Sequence, residues 1–203
     1  MYNLVLKETV FMKDRFNHSN YLVRKQFFKI FGGAFHIYDP QDGLVFYVKQ
    51  QAFKLKEDIR VYSSEDMTEE VLVIKARSRI DFSATYDVFD SISNETVGSF
   101  RRKGMKSILK DEWIILDQQE REVGLITEDS MLMAILRRFL SNLIPQTFVG
   151  TIGQHDVLTF KQRFNPFVQK IELDFSMDRQ QLLDRRLGIA ASVLLSAIEG
   201  RQD

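Results

Sequence analysis

The residues best suited by type and spacing to do chemistry lie in "SFRRKGMKSILK", residues 99–110. Arg101, Arg102, Lys103, Lys106 and Lys110 occur there with no acidic residue between them. Gly104 reads as a hinge or bulge, with Met105, Ile108 and Leu109 as apolar neighbours. Such a basic ledge suits an anionic lipid headgroup or another phosphorylated ligand, because guanidinium and ammonium groups make charge-assisted hydrogen bonds to phosphate oxygens. The same pattern also describes a solvated strand edge whose charges prevent pairing with other chains. Lys110 is followed at once by Asp111 and Glu112, which offset the positive charge. Both readings stay open, and nucleic acid is a weaker third.

Other chemistry is hard to assemble. His18, His36 and His155 are far apart in the chain, and none has a second ligand at helical or hairpin spacing, so no metal site is expected. The chain has no cysteine, which excludes disulfides, thiol catalysis and Cys-based zinc sites. It carries no G-x-S-x-G elbow, Walker A loop or dinucleotide fingerprint. "FGGAF" (31–35) reads as a turn, "KEDI" and Glu128-Asp129 as turn or cap residues, and Trp113 as a packed strand aromatic. The expectation is a protein without catalytic residues or cofactor. An enzyme built from residues distant in sequence stays conceivable, as does a scaffold that binds only another protein.

Lys+Arg and Asp+Glu balance at 28 each, so no global field steers the chain to nucleic acid or an anionic bilayer. A length of 203 residues and 44% hydrophobic content fit a single domain spanning 1–203. The opening MYNLVLKETVFMKDRF lacks an apolar h-region and a small-residue cleavage site, so the expected location is cytoplasmic, and peripheral at the membrane if the ledge binds lipid.

The elements that would position these residues read as hairpins. "FHIYDPQDGLVFYV" (35–48), "TYDVFDSISNETVGSF" (85–100), "WIILDQQEREVGLI" (113–126) and "TIGQHDVLTF" (151–160) alternate short apolar runs with turn signals. In the first three, Asp39, Asp90 and Asp117 follow the first run, where a carboxylate can accept hydrogen bonds from turn N–H groups; Gly153 takes that place in the fourth. "VQKIELDFS" (168–176) adds an alternating strand. Val48, Ile74, Phe100 and Ile126 recur every 26 residues, with Leu22 and Ile152 extending the series. A strand, a turn and a return strand account for that period, and a meander of about ten such strands closes into a barrel to remove its edges. "EDSMLMAILRRFLSNLIPQ" (128–146) interrupts the series with an expected amphipathic helix near 129–143, carrying Leu132, Ile135, Leu136 and Phe139 at helical spacing.

"RRLGIAASVLLSAIEG" (185–200) is bracketed by Asp184 as N-cap and Gly200 as C′ residue. Leu187, Ile189, Val193, Leu194, Leu195 and Ile198 spread around most of the helix, and Gly188, Ser192 and Ser196 form a stripe of small residues on the remaining arc. The serine hydroxyls can bond to carbonyls one turn back, and the stripe admits bulky neighbours such as phenylalanine. A helix apolar all round belongs inside a protein or a bilayer. Residues 187–198 span only about 18 Å at 1.5 Å per residue, against the roughly 30 Å of a bilayer core. Burying six large aliphatic side chains is worth about 9–18 kcal/mol gross. A central core helix is therefore expected, and no transmembrane segment.

"YLVRKQFF", "VKQQAFKLKEDIRVY", "VLVIKARS", "ATYDVFD", "VGSFRRKGMKSILKDEWIILD" and "LDRRLGIAASVLLSAIEG", in that order, resemble the LURP-one-related family, which is grouped with the tubby C-terminal domain and the phospholipid scramblases. The likeness covers residues 20 to about 201. It implies a mainly β (α+β) fold: a closed antiparallel barrel of about twelve strands wrapped around the C-terminal helix. In tubby relatives a basic surface binds phosphoinositide, which favours the ledge by analogy. The Asp-rich calcium-binding segment and cysteine cluster associated with scramblases have no counterpart here. The expected role is non-enzymatic, with an anionic phospholipid or a protein as partner.

Overall fold

A computed structural model describes residues 14–28, 32–51, 58–77, 84–103, 112–128, 146–163 and 169–199. Its strands are β1 (Asn20–Phe28), β2 (Gly32–Tyr38), β3 (Leu44–Gln51), β4 (Asp58–Tyr62), β5 (Glu70–Ala76) and β6 (Thr85–Asp90). They continue as β7 (Glu95–Arg102), β8 (Glu112–Leu116), β9 (Glu122–Glu128), β10 (Thr147–Ile152), β11 (His155–Arg163) and β12 (Gln169–Asp174). Each pairs antiparallel with its sequence neighbours, and β12 pairs with β1, so twelve strands close into one barrel. Among the described residues a helix follows β12, α1 (Arg185–Glu199). The expected helix near 129–143 lies outside the described residues.

The turns behave as their aspartates predict. Asp39 Oδ1 accepts from the N–H groups of Gln41 and Gly43, Asp90 Oδ1 from Ile92 and Ser93, and Asp117 Oδ1 from Gln119 and Arg121. Each carboxylate replaces water for turn amides that have no ladder partner.

The 26-residue period has a sharper structural cause than a hairpin repeat alone. Ladder register slips once in each of five hairpins, between Ile37 and Tyr38, Val61 and Tyr62, Val88 and Phe89, Ile115 and Leu116, and Gly150 and Thr151. The residue left without an opposite number on the returning strand is Val45, Val71, Val97, Val123 and Val157 respectively. The first four valines are themselves 26 residues apart. A bulge lets two successive side chains face inward, as Val71 and Leu72 do, and its added twist helps a sheet to curl shut. Val48, Ile74, Phe100 and Ile126 sit three positions beyond each bulge and are all buried. Leu22 and Ile152 do not extend the series. Leu22 lies beside the fully buried Val23, hence on the outer face, because β1 pairs with both neighbours without a bulge. Ile152 falls at the end of β10, and the next bulge valine comes only at Val157 because the β9–β10 connection is longer.

The C-terminal helix fills the barrel. Leu187, Ile189, Val193, Leu194 and Leu195 are buried, as are Ser192 and Ser196; the side chain of Ile198 lies outside the description. Ser192 Oγ donates to Ile189 O at 2.7 Å and Ser196 Oγ to Ser192 O at 2.5 Å, so neither hydroxyl is stranded. Gly188 faces the Phe175 ring. Asp184 caps the helix through the Arg186 N–H at 2.9 Å. No described helix is long and apolar enough to cross a membrane.

The helix entrance is locked by the two arginines that flank it. Arg185 lies over the Phe175 ring, 4.5 Å from its centroid, and reaches the buried Asp178 at 3.0 Å. Arg186 joins Asp90 at 2.6 Å, Glu95 at 2.8 Å and Asp184 at 2.7 Å, tying the helix to the β6–β7 turn. Burial alone would raise the Asp90 pKa, but hydrogen bonds from Arg186 and from the Ser93 and Ile92 amides outweigh it and hold the carboxyl below the usual range. A folded-state pKa that is depressed contributes stability above the unfolded value, about 3.9 for aspartate, and that contribution is lost as pH falls through the folded value. Arg186→Met is expected to cost about 2–3 kcal/mol near neutral pH, because Asp90 is left buried without its cation. Urea titrations at descending pH should show the gap between the two proteins narrowing below the ordinary aspartate range. A gap independent of pH would exclude Asp90 as its source.

Candidate functional site

The basic ledge begins at the end of β7, at the rim where the barrel receives the C-terminal end of α1. Strand pleating sends successive side chains to opposite faces, and this divides the ledge. Arg101 stands outside with Ser99 and pairs with Glu122. Arg102 shares the inward side with buried Phe100, and its guanidinium lies 5.9 Å from the centroid of the Trp113 ring. Lys103 contacts Glu112 at 3.0 Å. Lys106 and Lys110 lie outside the described residues. Trp113 is a packed strand aromatic on β8, as expected, and tilts against Tyr86. Glu128 differs from expectation: it is the last residue of β9 and buried, not a turn or cap residue.

Below Arg101 the outer face of β4–β7, with the β8–β9 turn, forms an open groove of about 650 Å³. Its centre is a network that sequence inspection missed. Arg77 grips Asp87 through Nε and Nη2 at 2.7–3.0 Å and reaches Glu120 at 3.0 Å. Buried Ser99 donates to Asp87 Oδ1 at 2.7 Å. Burial pushes the Asp87 pKa up, but its bonds to Arg77 and Ser99 prevail and lower it. Arg60 and Lys75 add cations, Asp58, Glu70 and Asp117 add carboxylates, and Val73 and Phe89 contribute apolar surface. The groove thus carries both signs of charge beside a basic rim. Only the alternation of charged residues on successive strands hinted at it.

Among the described residues, no three His, Asp or Glu side chains converge as a metal site would require. His36 pairs with Glu65 at 2.8 Å, and the His18 ring meets Tyr21 edge-on. The ledge and the groove present charged and hydrogen-bonding side chains at the barrel surface.

The model of the LURP-one-related family matches residues 44–192. No curated protein matches the chain. Among solved structures, a protein from Arabidopsis thaliana determined by X-ray crystallography is similar at 13% identity and a TM-score of 0.49, over 91% of this chain and 94% of that one.

Proposed function

The chain belongs to the LURP-one-related family, and we propose that it is a non-enzymatic binding module that holds an anionic phospholipid headgroup, or another phosphorylated ligand, on the ledge beginning at Arg101. One observation carries the reading: each ledge ion pair has one member largely open to solvent. Glu122 is 60% exposed in its pair with Arg101, and Lys103 is 57% exposed in its pair with Glu112. Exposed ion pairs contribute about 0–1 kcal/mol, so a phosphate, which offers stronger charge-assisted bonds, exchanges with them at little cost. With α1 occupying the barrel interior, a ligand is met at the surface. Such a protein would be cytoplasmic and peripheral at the membrane.

Co-sedimentation with vesicles tests this. Binding is expected to vesicles carrying phosphatidylserine or phosphoinositide, to weaken with salt, and to fall at least tenfold when Arg101, Arg102, Lys103 and Lys106 are replaced by Gln. Undiminished binding by that variant would refute the ledge. A second reading, a scaffold for another protein, is favoured by the mixed-charge groove below Arg101. A pull-down partner that survives both the four substitutions and high salt would support it.

A further inference from the structure

Four to six strands around the barrel from β7, the outer face of β11, β12, β1 and β2 carries a row of basic side chains. Read across the ladders, Arg163 faces Lys170, Lys170 faces Arg24, and Arg24 faces His36. All four lie on the outer face, since the alternating neighbours Ile171, Val23 and Phe35 fill the core. Directly opposed residues have Cβ atoms about 4.5–5.5 Å apart, and like charges so placed destabilise a sheet.

The surroundings offset this repulsion only in part. Arg163 contacts Glu172 at 2.6 Å, Arg24 contacts Asp42 at 3.3 Å, and His36 Nε2 contacts Glu65 at 2.8 Å. Asp42 and Glu65 are 80% and 64% exposed, so both are readily displaced. The Lys170 side chain, between two arginines, has no hydrogen-bond or ion-pair partner among the described residues. Among those residues, just two buried side-chain nitrogens lack a partner, Arg24 Nε and His36 Nδ1, and they belong to directly paired members of this row. The His36 side chain is only 8% exposed. Aromatic rings hold the pair in place: Arg24 lies over Tyr38 at 4.5 Å, and His36 packs against Tyr38 and Tyr47.

We propose that this row is a second ligand site, which binds a phosphomonoester dianion through Arg24 and Lys170, with His36 as a further hydrogen-bonding group. A dianion would relieve the cross-strand repulsion and exchange with the exposed Asp42 and Glu65 carboxylates. The site is independent of the ledge on β7.

Calorimetric titration with inorganic phosphate and with glycerol 3-phosphate, and co-sedimentation with vesicles containing phosphatidic acid, separate the possible sources of the phosphate. Wild-type protein and the four-residue ledge variant are both expected to bind at least one of these probes. Lys170→Gln and Arg24→Gln are expected to weaken that binding at least tenfold. Binding of the soluble probes identifies a small phosphate as sufficient; binding of the vesicles alone identifies a lipid headgroup. Lys170→Gln without ligand should be at least as stable as wild type, so it decides the matter even if Arg24→Gln folds poorly. Wild-type protein that binds none of the three probes, or undiminished binding by Lys170→Gln, would overturn the site. Loss of binding only in the ledge variant would overturn it as well, while leaving the ledge intact.

Discussion

Gly188→Ala is expected to destabilise the protein by about 3 kcal/mol, near the upper end of the usual range for overpacking. Helix propensity alone predicts the opposite sign, since alanine in a helix interior is favoured over glycine by about 1 kcal/mol. Packing decides. A Cβ on Gly188 would fall inside the van der Waals envelope of Phe175 Cε1 and Cζ. The ring is closely held: it is buried, meets Tyr21 edge-on with centroids 6.0 Å apart, and has the Arg185 guanidinium over it. Phe175→Leu in the Gly188→Ala background should recover part of the loss relative to the sum of the two single changes, a coupling that a double-mutant cycle measures directly. Urea denaturation of the four proteins gives both numbers. An alanine variant as stable as wild type would mean that the helix shifts within the barrel.

Lys25 is the second position where a single change should have a large effect. It points into the barrel, almost completely buried, and its Nζ donates to Ser196 O at 2.8 Å. Ser196 is within the last four residues of α1, whose carbonyls have no partner inside the helix. The cation therefore satisfies one of these orphans and lies at the negative end of the helix dipole, with its Nζ 5.2 Å from the centroid of the Phe35 ring. Lys25→Met keeps most of the volume but removes the donor, and is expected to cost about 1–3 kcal/mol. Lys25→Ala adds a cavity and should cost about 3–5 kcal/mol. Chemical denaturation separates the two contributions. If the methionine variant equals or exceeds wild type, the desolvation of the ammonium outweighs its bonds, as happens for some buried charges.

Much of the architecture was legible before any coordinates. The alternation of apolar and polar residues announced the strands, the aspartates announced their turns, and a short all-apolar helix with charged ends announced its own burial. These signals are local, so they survive in any arrangement that buries one face of each strand. The stripe of Gly188, Ser192 and Ser196 was readable for the same reason, because a gap on a buried helix must be filled by something large, here Phe175. The ledge was readable as a cluster of charges but not as a surface: pleating puts Arg101 outside and turns Arg102 toward Trp113, and Glu122 and Glu112 come from other strands to meet the cations.

The sequence by itself determined the hairpin repeat, the capped turns and the buried terminal helix, because each follows from periodicity, turn chemistry or length. Tertiary structure alone decided which charges meet. Arg186 finds Asp90 from 96 positions away, Lys25 finds Ser196 across 171, and the row of Arg163, Lys170, Arg24 and His36 draws on both ends of the chain. The physical reason is register. A shift of one residue turns a strand's whole set of side chains to the other face, and each of the five valine bulges resets that phase in its own hairpin. Which residues stand side by side on the outer face is therefore a property of the closed ring, settled only when β12 pairs with β1.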